Sequence, residues 1–113
     1  METIAFGALG DQLLAKARSA SSGRAAVTVH GGHVSSLRQT LIGLVAGRVL
    51  DERENASEIT LQLIRGRARI VAGSQATEML PGDYVVVPLE WDAFEALDDT
   101  VVLLTAAVLG SPD

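Results

Sequence analysis

Between Glu58 and Met79 the chain reads E-I-T-L-Q-L-I-R-G-R-A-R-I-V-A-G-S-Q-A-T-E-M, and apolar residues fall at every second position for most of that length. Ile59, Leu61 and Leu63 alternate with Thr60 and Gln62, and Ala68 and Ile70 alternate with Arg67 and Arg69. In an extended chain successive side chains point to opposite faces, so this pattern demands strands with one apolar and one polar face. Similar short runs rich in β-branched residues recur through the rest of the chain, broken by Gly, Pro or Asp. They predict strands over 26–30, 37–46, 58–64, 67–72, 75–79, 84–88, 93–96 and 100–108. The stretch 8–20, A-L-G-D-Q-L-L-A-K-A-R-S-A, is the one convincing helix: Leu9, Leu13, Leu14 and Ala17 share a face, Asp11 lies near its start, and Lys16 and Arg18 lie near its end. The expected class is all-β, a sandwich or barrel preceded by a short N-terminal helix. Two turn signals set local topology. Arg65-Gly66 reads as a tight hairpin and Ala72-Gly73-Ser74-Gln75 as another, so the three strands between 58 and 79 are expected to form a meander.

At 113 residues the chain is expected to fold as one domain, with a lead-in at 1–24, a barrel at 25–109 and a frayed tail at 110–113. Its 48% hydrophobic and 20% charged content supplies a packed interior. The net charge is −5 and the nine Lys and Arg are scattered, which argues against nucleic acid as a partner. No apolar run is long enough to span a bilayer as a helix, no signal peptide is recognised at the start, and there is no cysteine. The expectation is a cytoplasmic protein with no membrane partner.

The order of hairpin, short strand, P-G-D turn, apolar strand, proline, aromatic, acidic turn and final strand resembles the small single-domain cupins, over roughly 37–108. The most specific part is L-Q-L-I-R-G-R-A-R-I-V-A-G followed by L-P-G-D-Y-V-V-V-P. The spacing of five residues between Gly82 and Pro88 follows the second cupin motif. The stretches S-S-G-R, V-H-G-G-H and L-R-Q-T-L-I are similar to a subgroup of very small cupins. The resemblance implies a double-stranded β-helix, or jelly-roll barrel, with Val85 to Val87 lining its core. It also implies pairing into a homodimer through edge strands.

A typical cupin holds a divalent metal with two histidines and a glutamate from its first motif and one histidine from its second. The first two positions match Asp51 and Arg53 here. Seven residues separate Glu58 from Gly66 where the pattern has six, so alternation puts Ile59 at the inward glutamate position and turns Glu58 outward. Trp91-Asp92-Ala93-Phe94 stands where many cupins read Trp-His-Ala-Phe, so Asp92 takes the place of the last histidine. The expectation is therefore no cofactor, a divalent metal being the alternative. Two readings of the mouth stay open: Arg53 and Asp92 face each other across the former metal pocket, or 51–55 is a solvated charged loop. Trp91 is either the wall of a ligand pocket or a cover for the core or a dimer contact. His30 and His33 flank a Gly-Gly turn. They could share a metal, although no further ligands have recognisable spacing, and a plain polar turn also accounts for them.

Three functions follow. The leading one is a small-molecule-binding or regulatory barrel, with Asp51, Arg53, Trp91, Asp92 and His33 as the pocket candidates. The second is a metal-independent isomerase or lyase for a small polar substrate, with Asp92 or His33 moving a proton and Arg53 holding an anion. The third is a homodimerisation module with a barrel filled by its own side chains.

Overall fold

The structure, a computed structural model, describes residues 1–51, 58–88 and 90–107. Helix α1 (Phe6–Ser19) precedes strands β1 (Arg24–His30), β2 (Leu37–Leu44), β3 (Val49–Leu50), β4 (Glu58–Arg65), β5 (Ala68–Ala72), β6 (Gln75–Met79), β7 (Tyr84–Val86), β8 (Ala93–Ala96) and β9 (Thr100–Ala107). All pairings are antiparallel. The strands form a five-stranded sheet in the order β1-β2-β9-β4-β7 and a four-stranded sheet in the order β3-β8-β5-β6. These two sheets face each other as a jelly-roll barrel. The all-β expectation therefore holds, and each anticipated strand is present within one or two residues. β3 has only two residues and carries no periodic signal, so sequence reading passed over it. No helix among the described residues is long and apolar enough to cross a membrane.

The alternation seen in the sequence places the core. Ile59, Leu61 and Leu63 of β4 point into the barrel with Ile42 and Leu44 of β2 and Val102 and Leu104 of β9. From the facing sheet they meet Leu50, Ile70, Met79 and Phe94. A second cluster lies on the outer side of the larger sheet, where Leu13 and Leu14 of α1 pack on Leu41, Val101 and Leu103. Two glycines let the helix come close. A Cβ at Gly43 would lie 3.1 Å from the backbone of Leu13, and one at Gly10 would lie 3.2 Å from a methyl of Val101. Arg65 fastens the same helix from the other side, with Nη1 2.7 Å from Asp11 and Nη2 donating to the carbonyl of Gly7 at 3.0 Å. Asp11 lies beyond the first helical turn, because α1 starts at Phe6 rather than Ala8, and so serves this ion pair rather than the helix dipole.

The expected meander is corrected at its first turn. β4 pairs with β9 and β7, whereas β5 pairs with β6 and β8, so the chain changes sheets at Gly66 instead of folding into a hairpin. The cause is local. Register shifts between Leu63 and Arg65, and such a bulge bends and twists a strand out of its ladder. Gly66 then takes φ +91°, and a Cβ there would run into the carbonyl oxygen of Asp99 and the Thr100 hydroxyl. The second turn is a true hairpin, with Ala72 paired to Gln75 around Gly73 at φ +61°. The P-G-D turn is of type II, with Pro81 and Gly82 (φ +93°) at its corner and Asp83 N–H donating to Leu80 carbonyl at 2.9 Å. It docks on β4 through Gly82 N–H to Leu63 carbonyl at 2.8 Å and Leu63 N–H to Asp83 carbonyl at 2.9 Å. The strand that follows also departs from expectation: Val85 and Val87 pack with the core, but Val86 between them is 60% exposed, as alternation in an edge strand allows.

The loop before β9 is pinned by Asp99. Its Oδ1 accepts from Ala46 N–H at 3.0 Å, and its Oδ2 accepts from Nε and Nη2 of Arg18 at 3.1 and 2.9 Å. These bonds, Ala46 first and Arg18 second, hold the carboxyl below the usual carboxylate range against a small opposing effect of burial. Beneath it the fully buried Thr100 hydroxyl reaches the carbonyls of Asp98 at 2.8 Å and Arg67 at 3.2 Å.

Two outcomes test this frame. Gly66→Ala must either distort the crossover or lift it off Asp99, and urea unfolding should show a loss of at least about 2 kcal/mol. Asp99 is more easily ionised in the folded state than in the unfolded one. Its contribution is thus complete above the ordinary aspartate range and fades as pH falls through its lowered value. Asp99→Asn should flatten that acid limb of the stability profile. It should cost about 0.5–1 kcal/mol at neutral pH, solvent screening keeping the figure small.

Candidate functional site

Side chains of both sheets fill the core described above, and among the described residues the sheets part beside it. There β7, the edge of the larger sheet, faces β6, the edge of the smaller one, and a cleft of about 160 Å³ remains. Ile70, Ala72, Val85, Val86 and Pro88 give it apolar walls, while Gln75 and Thr77 bring an amide and a hydroxyl. Register explains the grouping: Ile70 lies opposite Thr77 and Ala72 opposite Gln75, so one face of the β5–β6 hairpin forms one wall and β7 with Pro88 forms the other. Gln75 and Thr77 were not singled out from the sequence. The Q-A-T-E alternation carried their signal, since it puts both on the face shared with Ile70 and Ala72.

Trp91 leads away from this cleft into the core. It is 2% exposed and packs in the barrel cluster, and its backbone N–H donates to Pro88 carbonyl at 3.1 Å. Of the readings offered for this side chain, a cover sealing the core describes its position. Asp92 follows it and is exposed. The Asp92 N–H donates to Val71 carbonyl at 2.8 Å, and Oδ2 accepts from Gly73 N–H at 2.8 Å, at the corner of the β5–β6 hairpin. Asp51 is also exposed and comes directly after Leu50, which lies opposite Phe94. The structure therefore brings Asp51, Trp91 and Asp92 to the same end of the smaller sheet. Arg53 lies outside the described residues, and so does the proposed pair between it and Asp92. His33 is elsewhere: it is exposed in the β1–β2 turn, where Ser35 N–H donates to Gly32 carbonyl at 3.0 Å, and β2, β9 and β4 separate β1 from β7.

The residues described do not fit the metal centre that the resemblance implies. Ile59 is buried in the apolar core at the glutamate position while Glu58 is exposed, as the spacing indicated. One carboxylate oxygen of Asp92 is already bonded to Gly73. Among the described residues no three His, Cys, Asp or Glu side chains come together, and no buried side-chain nitrogen or oxygen lacks a partner. Beyond the cleft the smaller sheet presents a charged outer face, with Arg69 on Glu95 across the β5–β8 pair and Arg67 near Glu78 at 3.4 Å and Asp98 at 3.5 Å.

No protein-family model matches the sequence, and no curated protein matches it. Solved structures do. A conserved protein of unknown function from Streptococcus pyogenes superposes with a TM-score of 0.68 at 16% identity, covering 81% of this chain and 80% of that one. A cupin superfamily protein from Desulfitobacterium hafniense gives a TM-score of 0.68 at 16% identity over 76% and 78% of the two chains. Salicylate 1,2-dioxygenase from Pseudoaminobacter salicylatoxidans, as a point variant, gives 0.72 at 21% identity over 88% of this chain, which spans only 34% of that enzyme. At such identities the likeness speaks for architecture alone. With its two facing antiparallel sheets, its sheet-crossing glycine and its P-G-D turn, the chain has the fold of a small cupin domain.

Proposed function

We propose that the protein is a small-molecule-binding barrel whose site is the cleft between β6 and β7. The observation that carries this reading is the cleft itself, where apolar walls surround one amide and one hydroxyl. Apolar surface with a few placed polar groups is the usual make-up of a ligand pocket. The size suits a single-ring compound, since a cavity of about 150 Å³ admits benzene. A ligand here would bury its ring against Ile70, Val85 and Pro88 and turn a polar substituent toward Gln75 or Thr77. Asp51 and Asp92 lie near this end of the sheet and can tune what approaches it.

Thr77 is exposed on an edge strand, so Thr77→Phe should fold normally and lay its ring over Ile70, filling the cleft. A thermal-shift screen of single-ring compounds should find ligands that raise the melting temperature of the wild type and not of Thr77→Phe. A screen without ligands, or hits indifferent to this substitution, would refute the reading. The proposal also includes a barrel that works without a resident metal. Elemental analysis of purified protein should then find iron, manganese, nickel and zinc far below one per chain, and near-stoichiometric metal removable by EDTA would overturn that part.

A further inference from the structure

We infer that Asp92 is a positioning residue for the cleft, a latch that fixes the distance between its two walls; this rests on the cleft being the binding site. The wall made by β5 and β6 turns at Gly73, between the lining residues Ala72 and Gln75. The opposite wall ends at Pro88, whose carbonyl accepts from Trp91 N–H at 3.1 Å. Trp91 is anchored in the core, so the chain at Asp92 starts from a fixed point tied to the Pro88 wall. From there Asp92 reaches the other wall twice, through its own N–H to Val71 carbonyl at 2.8 Å and through Oδ2 to Gly73 N–H at 2.8 Å.

The first of these bonds belongs to the backbone and survives any substitution except proline. The second depends on the side chain. Gly73 sits at φ +61° in a tight, exposed corner, where an added Cβ would meet nothing within 4 Å. A carboxylate accepting from a backbone N–H makes a charge-assisted bond, stronger than a neutral one. Its loss lets the corner move, and the corner carries Ala72 and Gln75 with it. The role needs an acceptor oxygen of the right reach, not a negative charge, so asparagine should serve and alanine should not. Asp92 thus does mechanical work at the position where the resemblance expects an imidazole ligand.

The test compares wild type, Asp92→Ala and Asp92→Asn with two readouts: amide exchange at Gly73 and Gln75, and the Kd for phenol followed by NMR shifts of Ala72, Gln75 and Thr77. Asp92→Ala should speed exchange at Gly73 and raise the Kd about fivefold, the worth of one such bond. Asp92→Asn should restore most of both. Unchanged Gly73 exchange in Asp92→Ala overturns the latch. Faster exchange with an unchanged Kd overturns its link to binding and leaves the cleft as the site. If phenol shifts none of the three residues in the wild type, the cleft reading falls, and this inference falls with it.

Discussion

From Val101 to Leu104 strand β9 has no face that can be given to water. Val102 and Leu104 look into the barrel and Val101 and Leu103 look toward α1, and only beyond them does half-buried Thr105 turn a hydroxyl outward to accept from Gln39. Leaving either set exposed would forfeit about 1.5–3 kcal/mol for each large side chain. The fold meets that demand by placing β9 in the middle of the larger sheet, with β2 and β4 as its neighbours and the helix laid across its outer face. The glycines at 10 and 43 follow from the same demand, because only a closely seated helix can cover Val101 and Leu103. The anchoring of the loop before β9 by Asp99 and Thr100 follows as well, since a strand packed on both sides must enter its slot in one register.

How much of this could be read beforehand depends on whether the determining force was local. Alternation fixed the faces of β4 and β5 because period two is a property of each strand alone, and Ile59 at 9% exposure beside an exposed Glu58 shows it. The crossover at Gly66 was misread as a hairpin because arginine-glycine reads the same whether the next strand returns to its neighbour or changes sheets. What decides it is the close approach of Asp99 and Thr100, which lie more than thirty residues on. Val86 was placed in the core by resemblance, although alternation with Val85 and Val87 already turned it outward. The cleft was not foreseen, since an unfilled space depends on how two sheet edges fail to meet and leaves no mark on either strand.

Asp92 shows how one position can be legible in place and not in role. Its sequence neighbours set it next to Trp91 at the mouth of the barrel; in the structure Asp92 is exposed while Trp91 is buried in the core. Its bond to Gly73 was not legible, because that contact spans nineteen residues and depends on the β5–β6 hairpin ending level with the start of β8.

The placement of β9 also governs the order in which the molecule can assemble. It is the ninth of the nine described strands, yet it lies at the centre of its sheet, between a pair formed early in the chain and a pair formed in the middle. On a ribosome β1 and β2 emerge as a hairpin, and β4 with β7 follows, but neither pair has its shared neighbour until the chain has been made through Ala107. Until then β2 and β4 each offer an open edge, and the inner leucines of both are uncovered. The nascent protein is thus most vulnerable to association with other chains just before β9 is released, and the barrel closes in a single late step.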